Sequence, residues 1–110
     1  MKRVMVRYTV KPGRAAENER YIEQVFAELA RTTPPAMQYS AFKLDDGVTF
    51  VHVYSHESPD GGDALRALPA FQAFRAGLEE RCAVAPVRTP LKAVGTYRSS
   101  AGFTDSSLPA

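Results

Sequence analysis

The chain has 110 residues, 45% of them hydrophobic and 24% charged. That suits one ordinary soluble domain with a real core, and it is too short for a two-domain enzyme or a large barrel. Fourteen basic residues against twelve acidic ones leave a net charge of +2 with no block of like charge, which argues against nucleic acid and a membrane surface as partners.

No apolar run approaches the roughly 20 residues of a membrane-spanning helix. Arg7 interrupts the apolar stretch after Met1-Lys2-Arg3 before a signal-peptide core could form, so a cytoplasmic location is the default expectation. Cys82 is the only cysteine, which excludes an internal disulfide and every multi-cysteine metal site. Near the end of an apolar helical pattern, it reads as a small core residue.

Lys2 to Lys11 alternates, with Val4, Val6, Tyr8 and Val10 on one side, as in a half-buried strand that Pro12-Gly13 stops. From Gly13 to Arg31 the period becomes helical, with Tyr21, Ile22, Val25, Phe26 and Leu29 on one face. Early Glu17 and Glu19 and late Arg31 suit the helix dipole, and Pro34-Pro35 ends the helix.

Met37 to Asp45 and Val48 to Ser55 read as two strands of a hairpin. A two-residue turn at Asp46-Gly47 pairs Phe42 with Val51 and puts Phe50, His52 and Tyr54 on the side of Tyr39. A three-residue turn pairs Phe42 with Phe50 instead and moves His52 alongside Ser40, because one residue of slip exchanges faces. The Asp-Gly pair favours the first.

After a polar loop, Asp63 is expected to cap a helical face at Leu65, Leu68, Phe71, Phe74 and Leu78 that reaches Cys82. Pro69 should split it into a leading turn and a main helix. The last strand is expected within Val87 to Arg98, with Leu91, Ala93, Gly95 and Tyr97 alternating, and Pro90 there argues for an edge, a bulge or a late strand start. Residues 1–98 then form one domain, and Ser99 to Ala110 reads as a loose tail.

The order β-α-β-β-α-β is the ferredoxin-like α+β arrangement, a four-stranded antiparallel sheet with two helices on one face. Apolar residues on both faces of the strands, such as Val51 and Val53 against Phe50 and Tyr54, imply a second sheet packed on the open face, hence a homodimer. An RNA-recognition module shares the order. Its third-strand motif fits Asp46 to Val53 only at Gly47, Phe50 and Val51, so no nucleic-acid partner is expected.

Three segments carry a more specific likeness: Val6 to Arg14 entering the first helix, Asp46 to Val53 in the hairpin, and Leu68-Pro69-Ala70-Phe71-Gln72-Ala73-Phe74. In order and spacing, over residues 2–98, they resemble the antibiotic-biosynthesis monooxygenase-like family. The resemblance implies a dimeric α/β barrel built from two ferredoxin-like sheets. It also implies cofactor-independent oxidation of an aromatic or quinone-type small molecule by oxygen, in a pocket that stabilises a phenolate. Active members generally use an Asn and a Trp. This sequence has no Trp, and its only Asn, Asn18, reads as surface in the first turn of a helix, so those roles pass to no residue here.

His52 is the one candidate for a general base, set against a plain hydrogen-bonded histidine at the dimer interface. Tyr39, His52, Tyr54, Phe71 and Phe74 are the candidate ligand-pocket residues, set against ordinary core packing of the two phenylalanines. Arg75 and Arg81 read as a solvated helix face that could also receive an anion. No metal is expected, since His56, Glu57 and Asp60 show no recognised ligand spacing. The alternative to an enzyme is a non-catalytic dimeric module binding a small ligand or a protein in the same cleft.

Overall fold

The computed structural model describes residues 2–57 and 61–97. The chain runs β1 (Lys2–Val10), α1 (Ala15–Thr32), β2 (Met37–Lys43), β3 (Thr49–His56), α2 (Gly61–Arg66), α3 (Pro69–Ala76), α4 (Leu78–Arg81) and β4 (Cys82–Leu91). The strands form one antiparallel sheet in the order β2-β3-β1-β4, so the first strand lies inside and β2 and β4 are the edges.

Alternation along β1 sends Val4, Tyr8 and Val10 into the core beneath the helices, where Phe50, Val25, Leu65, Leu68, Phe74 and Leu78 join them. Tyr8 stacks on Phe50 with ring centroids 5.6 Å apart. Glu28 on α1 accepts a hydrogen bond from the Ala70 amide at 3.0 Å, satisfying an orphan donor in the first turn of α3. Arg14 holds Glu17 at 2.7 Å and Glu80 at 2.9 Å, tying the start of α1 to α4.

The hairpin pairs Phe42 with Val51 and Tyr39 with Tyr54, the favoured register. Its turn is longer than the two-residue form. The Gly47 amide donates to the Leu44 carbonyl at 3.0 Å, and Leu44 donates to Thr49 at 2.8 Å. Gly47 takes φ +79°, and the Asp46 carboxylate accepts from the amides of Val48 and Thr49. A two-residue loop at 46–47 and a four-residue loop at 45–48 share one centre, so they give the same pairing. The register therefore survives the change of turn.

Other boundaries moved. Helix α1 ends at Thr32, because Thr33, ahead of Pro34, turns to a left-handed φ of +42° while its amide still bonds Leu29. Helix α2 begins at Gly61, so Asp63 lies inside it rather than at its cap. Pro69 does open the main helix. The last strand starts at Cys82, not Val87: it follows α4 without a linker, so Cys82 belongs to the sheet and not to the helix. It ends at Leu91, and the expected alternation through Ala93, Gly95 and Tyr97 falls beyond it. Pro86 and Pro90 are tolerated because β4 is an edge. The tail and the loop residues Ser58 to Asp60 lie outside the described residues.

On the face away from the helices, Phe42 on one edge strand and Val84 and Val87 on the other are more than half exposed, and Leu91 at the end of β4 is on the same face. Among the described residues, no helix is long and apolar enough to cross a membrane.

Candidate functional site

A cavity of about 590 Å³ opens between the sheet and α2–α4. Val4, Val6 and Tyr8 of β1, Tyr39 of β2, and His52 and Tyr54 of β3 line its sheet side. Leu65, Phe71, Phe74 and Leu78 close it from the helices. The five pocket residues singled out from the sequence thus line one space. They come together because Tyr39, His52 and Tyr54 share a sheet face, while the Phe71–Phe74 spacing lays two rings on the α3 face above it. Phe74 is also a core residue, so both readings of that pair describe it.

Tyr39 is held from three sides: Phe26 stacks on it at 5.2 Å, Phe71 meets it edge-on at 6.4 Å, and its hydroxyl lies 2.6 Å from His52 Nδ1. On the far side of the imidazole, Nε2 lies 2.8 Å from the Tyr8 hydroxyl. His52 is 4% exposed, and its ring faces the helices rather than the open face of the sheet. It does not sit at the interface expected for a dimer, and it has two partners.

Burial pushes the His52 pKa down to about 4, since charging the ring would require desolvating a cation. The same burial raises both Tyr8 and Tyr39 well above the ordinary phenol value. Near neutral pH all three groups are therefore uncharged and available for hydrogen bonding. Because both ring nitrogens are occupied by tyrosines, proton exchange between His52 and a ligand would pass through Tyr39.

The network continues where the sequence was read otherwise. Asn18, expected at the surface, is fully buried, and its Nδ2 donates to Tyr8 Oη at 2.8 Å. Arg81, expected on a solvated face, is 1% exposed. Its Nε donates to Asn18 Oδ1 at 3.1 Å and its Nη2 to the Phe74 carbonyl at 2.9 Å. The guanidinium stacks over Tyr21 and Phe74, and Gly77 makes room for it: a Cβ there would stand 3.0 Å from Nη1. Both residues carry a signal in the sequence. Asn18 lies on the helical stripe of Val25, and Arg81 on that of Phe74 and Leu78, and a polar residue on an apolar stripe points inward.

Toward its mouth the cavity is lined by Arg66, Arg75 and Arg88 with Glu79 as the acidic counterpart, so the wall is net positive. Arg75 lies 5.9 Å from the centroid of Phe71. Arg75, unlike Arg81, keeps the exposed position expected of it. Among the described residues no cluster of three metal-ligating side chains occurs, and the Asp60 of the weak ligand set lies outside them.

No family model matches the chain, and no curated protein matches it. Solved structures do. An antibiotic biosynthesis monooxygenase superposes with a TM-score of 0.71 at 17% identity, covering 86% of this chain and 100% of its own. A Caulobacter crescentus protein provisionally given the same name reaches 0.70 at 23% identity, covering 86% of this chain and 90% of its own. A mutant of SnoaB, a cofactor-independent oxygenase from Streptomyces nogalater, reaches 0.65 at 21% identity, covering 86% and 94% respectively. The chain therefore has the ferredoxin-like α+β fold of antibiotic biosynthesis monooxygenase-like proteins. At these identities the likeness defines the fold, and the activity has to be argued from the site.

Proposed function

We propose that the chain is a cofactor-independent monooxygenase-like protein acting on an aromatic or quinone-type small molecule, and that it works as a homodimer. The observation that carries this reading is the cavity. Its volume of about 590 Å³ falls within the ~300–1,000 Å³ of small-molecule sites, and tyrosine and phenylalanine rings frame a few placed polar groups. A planar aromatic ligand suits those rings. A phenolate oxygen would find the Tyr39 hydroxyl below it and arginines at the mouth.

In such a reaction the substrate is the reductant. A phenol and one O₂ leave as a quinone and one water, one oxygen atom entering the ring and the other departing as water. Held dry and preorganised, the polar groups would favour the phenolate that passes an electron to oxygen.

Support for the dimer comes from the open sheet face. Phe42 on one edge strand and Val84 and Val87 on the other are each more than half exposed on it, apolar surface that a single copy would leave in water. Substituting Phe42→Asp should convert a dimer to monomer in sedimentation; a wild-type chain that is already monomeric at micromolar concentration would sink this part.

A second reading, a non-catalytic dimeric module binding the same class of ligand, draws on the depressed basicity of His52 and on the absence of tryptophan from the sequence. A thermal-shift screen in air with polycyclic phenols, quinones and haem separates the two. Stabilisation by a phenol with oxygen uptake supports the enzyme, and stabilisation without uptake supports the module. A ligand at 100 times its Kd should add about 2.7 kcal/mol, so a flat screen removes the proposed ligand class.

A further inference from the structure

We propose that Arg81 and Asn18 are positioning residues that fix the direction of the buried hydrogen-bond chain, so that Tyr39 presents its hydroxyl proton to the cavity. The chain of contacts is Arg81–Asn18–Tyr8–His52–Tyr39, running from α4 through α1 and the sheet to the ligand space.

The direction follows from one fact. A guanidinium has donors and no acceptor, and it does not lose its proton in a protein. Arg81 Nε must therefore face the Asn18 carbonyl oxygen, which leaves the amide NH₂ of Asn18 facing Tyr8. Tyr8 Oη accepts that bond. Its own proton then goes to its other partner, His52 Nε2, 2.8 Å away. The opposite arrangement, with Nε2–H donating to Tyr8, would make Tyr8 accept twice and leave its proton without an acceptor on a side chain that is buried, the residue being 1% exposed, which is costly. His52 is consequently the Nδ1–H tautomer. That N–H donates to Tyr39 Oη at 2.6 Å, and the Tyr39 proton is left to point away from the ring, toward the cavity it lines.

The ligand that completes such a chain offers an acceptor: a phenolate, a carboxylate or a quinone carbonyl oxygen attached to an aromatic ring. A group that only donates would leave two protons facing each other. This bearing on ligand choice rests on the function proposed above; the direction of the chain does not.

The test needs no ligand. Nitrogen-15 chemical shifts of the His52 ring, recorded near neutral pH on the whole chain, distinguish a protonated from an unprotonated ring nitrogen. The expected result is a protonated Nδ1 and an unprotonated Nε2. The substitution Asn18→Asp is designed to reverse the chain. A carboxylate accepts from both Arg81 and Tyr8, so Tyr8 turns its proton away from His52 and must be met by Nε2–H. In that variant the two nitrogen signals should exchange character. Finding Nε2 protonated in the unsubstituted chain, or an averaged mixture, overturns the direction. Finding Nδ1 still protonated in a folded Asn18→Asp variant overturns the role of Arg81 and Asn18 in setting it. Should that variant not fold, the unsubstituted chain still decides the direction. Failure of the phenol screen leaves this result untouched, so the two proposals fail separately.

Discussion

The Arg81 guanidinium lies 4.4 Å from the centroid of the Tyr21 ring, so the buried cation rests on an aromatic face while its N–H groups serve Asn18 and the Phe74 carbonyl. Its stabilisation is distributed over a cation–π contact and neutral acceptors, and each partner depends on it. Arg81→Leu should therefore leave two buried acceptors unserved and cost about 2–4 kcal/mol. Tyr21→Leu removes only the stacking surface and should cost about 1–2 kcal/mol. Urea unfolding of both variants checks the order; equal losses would show that the hydrogen bonds add nothing to the stack.

His52 makes stability depend on pH in a definite direction. Its folded pKa of about 4 lies below the ordinary histidine value of 6.5, so between those values the unfolded chain binds the extra proton. The contribution is fully present above the unfolded value and is lost as pH falls through the folded one. Between pH 7 and pH 4.5 the loss should be about 2–3 kcal/mol. His52→Gln should abolish that part of the slope. Carboxylates held below their usual range, Glu17 and Glu80 by Arg14 and Asp46 by Thr49, add their own losses in more acidic solution. A flat profile from pH 7 to 4.5 would contradict the burial of a neutral imidazole.

The two tyrosines that flank His52 should differ when their hydroxyls are deleted. Tyr8→Phe strands Asn18 Nδ2 and His52 Nε2 in the core and should cost about 1–3 kcal/mol. Both tyrosines border the cavity, but Tyr39 is only half-buried where Tyr8 is 1% exposed, so water can replace the Tyr39 hydroxyl and Tyr39→Phe should cost under about 1 kcal/mol. The sharper consequence of the second change is a weaker hold on an acceptor ligand, read by calorimetric titration.

Three arginines against one glutamate at the cavity wall should make an aromatic carboxylate bind more tightly than its amide or ester. Arg88→Ala should weaken the acid about 5- to 10-fold, near 1 kcal/mol, while leaving the neutral analogue unchanged. The preference should shrink as salt is added. Equal binding of the charged and neutral forms would remove electrostatics from the account.

Much of this was written locally in the chain. Alternation along β1, the Asp46-Gly47 centre of the hairpin and the Phe71–Phe74 spacing are enough to bring Tyr39, His52, Tyr54 and the two phenylalanines to one side of the sheet. What escaped was of two kinds. The start of β4 was hidden because the helical pattern runs on to Cys82 and two prolines interrupt the strand that follows. The roles of Asn18 and Arg81 escaped because their partners are distant: 63 residues separate them, and Tyr8 and His52 are 44 apart. Periodicity can say that a polar side chain points inward. It cannot say which other buried group it will meet.

Strand β4 alternates between two environments. Val87 faces outward opposite Arg7, and the next residue, Arg88, pairs with Val6 on the cavity side. Adjacent positions are therefore subject to unrelated constraints: a change at 87 is felt by whatever covers the sheet, a change at 88 by whatever fills the pocket. A one-residue insertion between them would exchange those constraints for every later residue of the strand. Sequence drift in β4 is thus free to retune surface and pocket separately by substitution, but not by changing the length of the strand.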